Sequence, residues 1–140
     1  VEIAVRTMLP EWWKHHANTP TCEKEQTRIF TEGEHVVYGG IARFFSNASG
    51  RVNDGWAWFF DNAVGTVHNG VVWFFDNSVG VVYGGTACFR GDASGEIHDG
   101  EAYFSDNAAG TVHGGVVHVY SPFCKVILAE GSTGEIVNHF

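Results

Sequence analysis

In this chain of 140 residues, the residues best suited to binding are the large aromatic side chains of two neighbouring segments. Alternate positions within WAWFF and VVWFF carry Trp56, Trp58, Phe60, Trp73 and Phe75. Aromatic groups held on a protein surface are typical of contact with another protein or with a sugar ring. These five residues are therefore the candidate binding site.

A second group combines histidine with a carboxylate. His98 and His113 are 15 positions apart, and Glu96 lies two positions before His98. Side chains on adjacent β-strands lie about 5 Å apart, which brings imidazoles within reach of one metal ion. Glu96, His98 and His113 are the best metal candidates, but no third imidazole completes the shell. We expect a column of stacked polar rings, without a tightly bound transition metal and without a cofactor.

The remaining polar residues do not form a recognisable catalytic group. Asp61, Asp76 and Asp106 each stand beside asparagine in a turn-like segment, and turn formation explains that pairing. The serines lack the setting of an activated nucleophile. No catalytic residue is assigned.

These side chains belong to a repeat of 15 residues. Cutting before Gly40 gives five regular coils: GIARFFSNASGRVND, GWAWFFDNAVGTVHN, GVVWFFDNSVGVVYG, GTACFRGDASGEIHD and GEAYFSDNAAGTVHG. Weaker copies lie at residues 25–39 and from Gly115 onward. Two short alternating runs in each unit predict two strands, and the Gly, Asn and Asp residues between them predict tight turns.

Short identical units bury an apolar face only by stacking, so the sequence predicts an all-β fold, a parallel β-solenoid of about seven two-strand coils. Four columns are expected to face inward. They are Ala42, Ala57, Val72, Ala87, Ala102 and Val117; Phe44, Phe59, Phe74, Phe89, Phe104 and Val119; Val52, Val67, Val82, Ile97, Val112 and Ile127; and Ala48, Ala63, Ser78, Ala93 and Ala108.

A further column, Asn47, Asn62, Asn77, Asp92 and Asn107, is expected to form a ladder of stacked amides at one turn. Outside the repeats, residues 1–24 are assigned to a cap on the first coil, with a strand at 1–7 and a short helix at 10–18. Residues 25–129 form the solenoid, and residues 130–140 form a C-terminal cap or tail.

Runs such as DNAVGTVHNG and DNAAGTVHGG resemble the short-period "x-N-A-x-V-x-x-G" β-solenoid repeats of bacterial and bacteriophage proteins. The resemblance covers about residues 26–128, although the alternating seven- and eight-residue spacing departs from the usual six or eight. It implies the solenoid fold and almost nothing about catalysis.

Composition excludes several partner classes. The formal net charge is −8, and Arg90 is the only Lys or Arg between Val52 and Cys124. Such a surface repels phosphate, so neither nucleic acid nor an anionic membrane is an expected partner. The three cysteines follow no metal or redox spacing, which favours free thiols and a cytoplasmic or phage-particle location over secretion.

The aromatic residues Trp56, Trp58, Phe60, Trp73 and Phe75, hereafter the aromatic face, are expected to point outward. The N-terminal segment with Trp12 and Trp13, a second copy of the chain, or a sugar chain could cover them. We therefore expect a non-enzymatic scaffold that contacts protein through this face, as a homo-oligomer or docked in a larger assembly. The alternatives are a carbohydrate-binding module and an enzyme acting on polysaccharide.

Overall fold

The computed structural model describes residues 21–140, and within them the chain forms 15 strands and no helix. The expected strand and helix within residues 1–20 lie outside the described residues. Among residues 21–140, no helix is long and apolar enough to cross a membrane.

Two parallel sheets face each other. The first sheet contains the odd-numbered strands β1 (Thr27–Phe30), β3 (Ile41–Phe44), β5 (Trp56–Phe59), β7 (Val71–Phe74), β9 (Thr86–Phe89), β11 (Glu101–Phe104), β13 (Val116–Val119) and β15 (Glu135–Asn138). The second contains the even-numbered strands β2 (Glu34–Val37), β4 (Ser49–Val52), β6 (Val64–Val67), β8 (Val79–Val82), β10 (Ser94–Ile97), β12 (Ala109–Val112) and β14 (Lys125–Leu128). The chain alternates between sheets, so each pair of strands is one coil of a parallel β-solenoid, as predicted.

The core lies between the sheets and consists of the predicted columns. Ala57, Phe59 and Val67 are fully buried together with their equivalents in the other regular coils. The phenylalanine rings stack along the core, with centroids 4.9 Å apart for Phe59 and Phe74. Ser78 takes the place of alanine in its column and donates its hydroxyl to the Phe75 carbonyl.

The prediction for Ile127 is wrong. Counting 15 residues from Val112 places Ile127 inside, but Val112 pairs with Leu128 and Ile127 pairs with the outward Thr111. The turn before β14 holds one residue more than the equivalent turn before β12. Because side chains alternate across a strand, one extra residue moves Ile127 to the outside, where it is 61% exposed.

Aspartate, rather than asparagine, makes the side-chain hydrogen bonds at the Asp-Asn turn. The Asp61 carboxylate accepts the Ser46 N–H (2.9 Å), and the Asp76 carboxylate accepts the Asp61 N–H (3.1 Å). Asp106 accepts the Gly91 N–H in the same way (3.0 Å), whereas Asn62 and its equivalents are exposed. These carboxylates link successive coils. The residues whose N–H groups they accept have a left-handed backbone conformation, with φ of 58° at Asp61.

The segments assigned to the two ends extend the sheets. Cys22 is buried and forms a parallel bridge with Val37, so the chain already joins the second sheet there. At the other end, β15 pairs with β13 and adds an eighth strand to the first sheet.

Candidate functional site

The aromatic face lies on the outer side of the first sheet. Trp56 and Trp58 alternate with the buried Ala57 and Phe59 in β5, which fixes their outward direction. Trp73 of β7 pairs with Trp58 in the strand register, and Phe60 and Phe75 follow the two strands. Trp56 is 51% exposed, while the other four residues are half-buried. The structure therefore brings all five predicted residues together.

The rings of this face stack on one another along the solenoid axis. The Trp58 and Trp73 centroids are 4.8 Å apart with planes 9° apart, and those of Phe60 and Phe75 are 5.1 Å apart with planes 8° apart. The Arg43 guanidinium lies 5.6 Å from the Trp58 ring centroid. The stacked rings turn their faces toward each other and their edges toward solvent. Trp56, tilted by 47° to both neighbouring indoles, departs from this arrangement.

The histidine candidates form a stack on the second sheet. His98 and His113 have ring centroids 4.6 Å apart, and Tyr83 continues the stack at 4.9 Å from His98. Glu96 Oε1 lies 3.8 Å from His113 Nε2. Among residues 21–140, no group of three or more His, Cys, Asp or Glu side chains has a geometry that could hold a metal ion.

A cluster that the sequence did not reveal lies near the C-terminal end of the first sheet. Tyr103 donates its hydroxyl to Glu101, whose carboxylate also lies 3.3 Å from His118 Nε2. His118 Nδ1 is 2.9 Å from His139 Nε2, and His139 stacks on Tyr120 at 4.5 Å. His139 follows β15, which departs from the 15-residue period, so spacing alone could not place it. The alternation in β11 and β13 could have placed Tyr103 and His118 on one face.

The hydrogen bond to Glu101 is the largest contribution that raises the pKa of Tyr103 to about 12, and desolvation and the Glu101 charge act in the same direction. The folded state thus holds this proton more tightly than the unfolded chain, where tyrosine has a pKa of about 10. Its contribution to stability is present at neutral pH and is lost as the pH rises through about 12. Tyr103 is accordingly protonated and a hydrogen-bond donor at neutral pH, where almost no phenolate is present to act as a base.

The described cysteines are free thiols. Burial raises the pKa of the Cys88 thiol, and the positive charge of Arg90 lowers it in part. Because the thiolate is the nucleophilic form, a raised pKa disfavours Cys88 as a nucleophile at neutral pH.

Comparison of the chain with known protein families, with curated protein sequences and with solved structures yields no match.

Proposed function

We propose that this protein is a non-enzymatic β-solenoid scaffold that binds another protein surface through the aromatic face. The contact is self-association or docking within a larger assembly. The observation that carries the proposal is the half-exposed Trp56 beside the stacked Trp58 and Trp73 on the outside of a sheet. Apolar groups gathered on an outer face are typical of an interaction site.

Ring orientation favours a protein over a sugar as the partner. A pyranose stacks on the face of an aromatic ring, but Trp58 and Trp73 direct their faces toward each other. Trp56 alone among the tryptophans of this face is tilted out of the stack. A protein surface packs equally well against ring edges, because burial of apolar area stabilises a contact whatever the ring orientation.

The charge distribution supports self-association. The whole chain carries a formal charge of −8, but residues 56–60 and 71–75 contain no charged side chain. Two copies that meet through this face bring only uncharged side chains from these two segments into contact, and Arg43, beside Trp58 on the neighbouring strand, lies at the border of the face.

The polysaccharide-active alternative has less support. Glycoside hydrolysis commonly uses two carboxyl groups that flank the scissile bond. Asp61, Asp76 and Asp106 instead accept hydrogen bonds from the backbone of the preceding coil.

The double substitution Trp58→Ser and Trp73→Ser tests the proposal. Wild-type protein is expected to have a mass in solution above the 15.3 kDa of one chain, and the double variant is expected to approach 15.3 kDa. Burial of one further indole contributes on the order of 2 kcal/mol, so loss of two rings suffices to dissociate a weak dimer. Sedimentation equilibrium over a range of concentrations measures this. The matched control is Tyr83→Ser with His98→Ser, which removes a comparable ring stack from the second sheet.

Other outcomes assign the face differently. Binding to a glycan array that the double variant loses would favour the carbohydrate alternative, and turnover of acidic polysaccharide would favour the enzyme. If mass, protease sensitivity of the N-terminal segment and sugar binding are all unchanged in the double variant, the aromatic face has no binding role.

A further inference from the structure

The outermost column of the first sheet contains a gap between two stacks of rings. The column consists of the residues that follow the odd-numbered strands from β3 to β15: Phe45, Phe60, Phe75, Arg90, Ser105, Tyr120 and His139. Phe45 and Phe60 stack at 4.8 Å, and Tyr120 and His139 stack at 4.5 Å. Arg90 and Ser105 have no ring, so the column of rings is interrupted between Phe75 and Tyr120. On this side the Tyr103 ring, which belongs to the neighbouring column, lies 6.2 Å from that of Tyr120.

A hollow of about 390 Å³ lies at this interruption. This cavity, hereafter the Ser105 hollow, is lined by Cys88, Arg90, Tyr103, Phe104, Ser105 and Tyr120. Arg90 and Tyr120 belong to coils on either side of Ser105, which places their backbones about 9.6 Å apart, twice the spacing of adjacent strands. A flat ring above Ser105 would lie about 4.8 Å from each neighbour, a favourable stacking distance.

The hollow has a cationic side. Arg90 is exposed, and the ion pairs within residues 21–140, His113 with Glu96 and His118 with Glu101, do not involve it. The nearby Glu101 carboxylate is engaged by the Tyr103 hydroxyl and lies beside His118. The guanidinium is therefore available to an anion, and its planar group of donors matches a carboxylate.

We propose that the Ser105 hollow binds a planar aromatic ring that carries a carboxylate. The ring stacks on Tyr120 in the place of the missing side chain, and the carboxylate pairs with Arg90. The Ser105 hydroxyl and the Cys88 thiol lie at the edge of the bound ring. This site uses none of the five residues of the aromatic face and stands independently of the proposed protein contact.

The test uses 2-naphthoate as the probe, with its uncharged carboxamide as a comparison. We expect saturable binding of 2-naphthoate to the full chain with a Kd of about 1 mM, as is typical of a ligand of about 13 heavy atoms. An NMR titration should shift the amide signals of Arg90, Ser105 and Tyr120. The carboxamide should bind at least about fivefold more weakly, because it forms no ion pair.

Two variants and a control separate this site from adventitious binding. Ser105→Phe fills the hollow with the ring that Phe60 and Phe75 carry in the same column, and binding should weaken at least about tenfold. Arg90→Gln should weaken binding of 2-naphthoate about fivefold and leave binding of the carboxamide unchanged. Ser94→Phe, on the outer side of β10, is the matched control and should bind as wild type does.

The proposal is overturned if 2-naphthoate shows no saturable binding below about 20 mM. It is also overturned if Ser105→Phe binds as wild type does, or if Ser94→Phe weakens binding equally. Equal affinity for the acid and the carboxamide would overturn the assigned role of Arg90. Circular dichroism establishes whether the variants fold. If Ser105→Phe does not fold, the binding of 2-naphthoate and of its carboxamide to Arg90→Gln still tests the site.

Discussion

At the scale of single residues, the core depends on pairs in which a phenylalanine of one sheet packs against a glycine of the other. The Phe59 ring crosses the core and reaches Gly65 on the opposite sheet, where an added Cβ would lie 2.6 Å from Phe59 Cζ. Every regular coil repeats this pair. In the last coil the register places Val119 where phenylalanine stood and Val126 where glycine stood. The large and the small member of the pair thus change together, and two side chains of equal size replace them.

This pairing predicts that Gly65→Ala destabilises the protein although alanine favours a strand no less than glycine. The added methyl group overlaps the Phe59 ring, and overpacking of this kind costs about 1–3 kcal/mol of unfolding free energy. Urea denaturation measures the change. The neighbouring outward substitution Thr66→Ala is the control and should cost less than about 0.5 kcal/mol.

A second variant identifies the cause. Combining Gly65→Ala with Phe59→Leu should be less destabilising than the sum of the two single changes, because the smaller side chain makes room for the methyl group. Strict additivity would show that the Phe59 ring is not what excludes a side chain at position 65.

At the scale of strands and turns, the 15-residue period predicted what repeats and failed where the chain departs from it. Alternation placed Ala57, Phe59 and Val67 inside, and the structure confirms each. Ile127 was misplaced because the turns before β2, β4 and β14 contain three, four and five residues. Nor could periodicity give the ring orientations on the outer face or bring His139 to His118, since these depend on side-chain packing and on a strand outside the period.

The Asp-Asn turn predicts a stabilising substitution. Gly91 has a φ of 65°, close to the 57° of Asp76, but it has no carboxylate to accept the N–H of Asp76 in the preceding coil. Gly91→Asp should supply that hydrogen bond and raise the unfolding free energy by about 0.5–1.5 kcal/mol. Thermal and urea unfolding at about 1 M salt, where the Debye length of about 3 Å is shorter than the spacing of the stacked aspartates, measure the gain.

Gly91→Ala is the matched control for this turn. It adds a Cβ at the same positive φ and supplies no acceptor, so it should lower stability by about 1 kcal/mol. If the aspartate and alanine variants are equally stable, the carboxylate contributes nothing to the turn, and the aspartate column has another cause.

At the scale of the whole molecule, stability should vary along the solenoid axis. A coil in a stacked array contacts only its neighbours, so a central coil is supported on two sides and a terminal coil on one. In β8, Gly80 and Val82 are fully enclosed. In β14, the equivalent Val126 is partly buried and Leu128 is 52% exposed, because no further strand of the second sheet covers them.

This gradient predicts the order in which backbone amides exchange with solvent. Amides of β14 should exchange at least about tenfold faster than those of β8, since opening the terminal coil exposes less apolar surface than opening a central one. Hydrogen exchange followed by mass spectrometry, with peptides that separate β8, β12 and β14, measures this order. The exchange rate of β12 amides should be intermediate, because the buried Val112 of this strand is covered on one side by the partly exposed Leu128. Equal protection of β8 and β14 would contradict progressive opening from the C-terminal end and would show that the coils open as one cooperative unit.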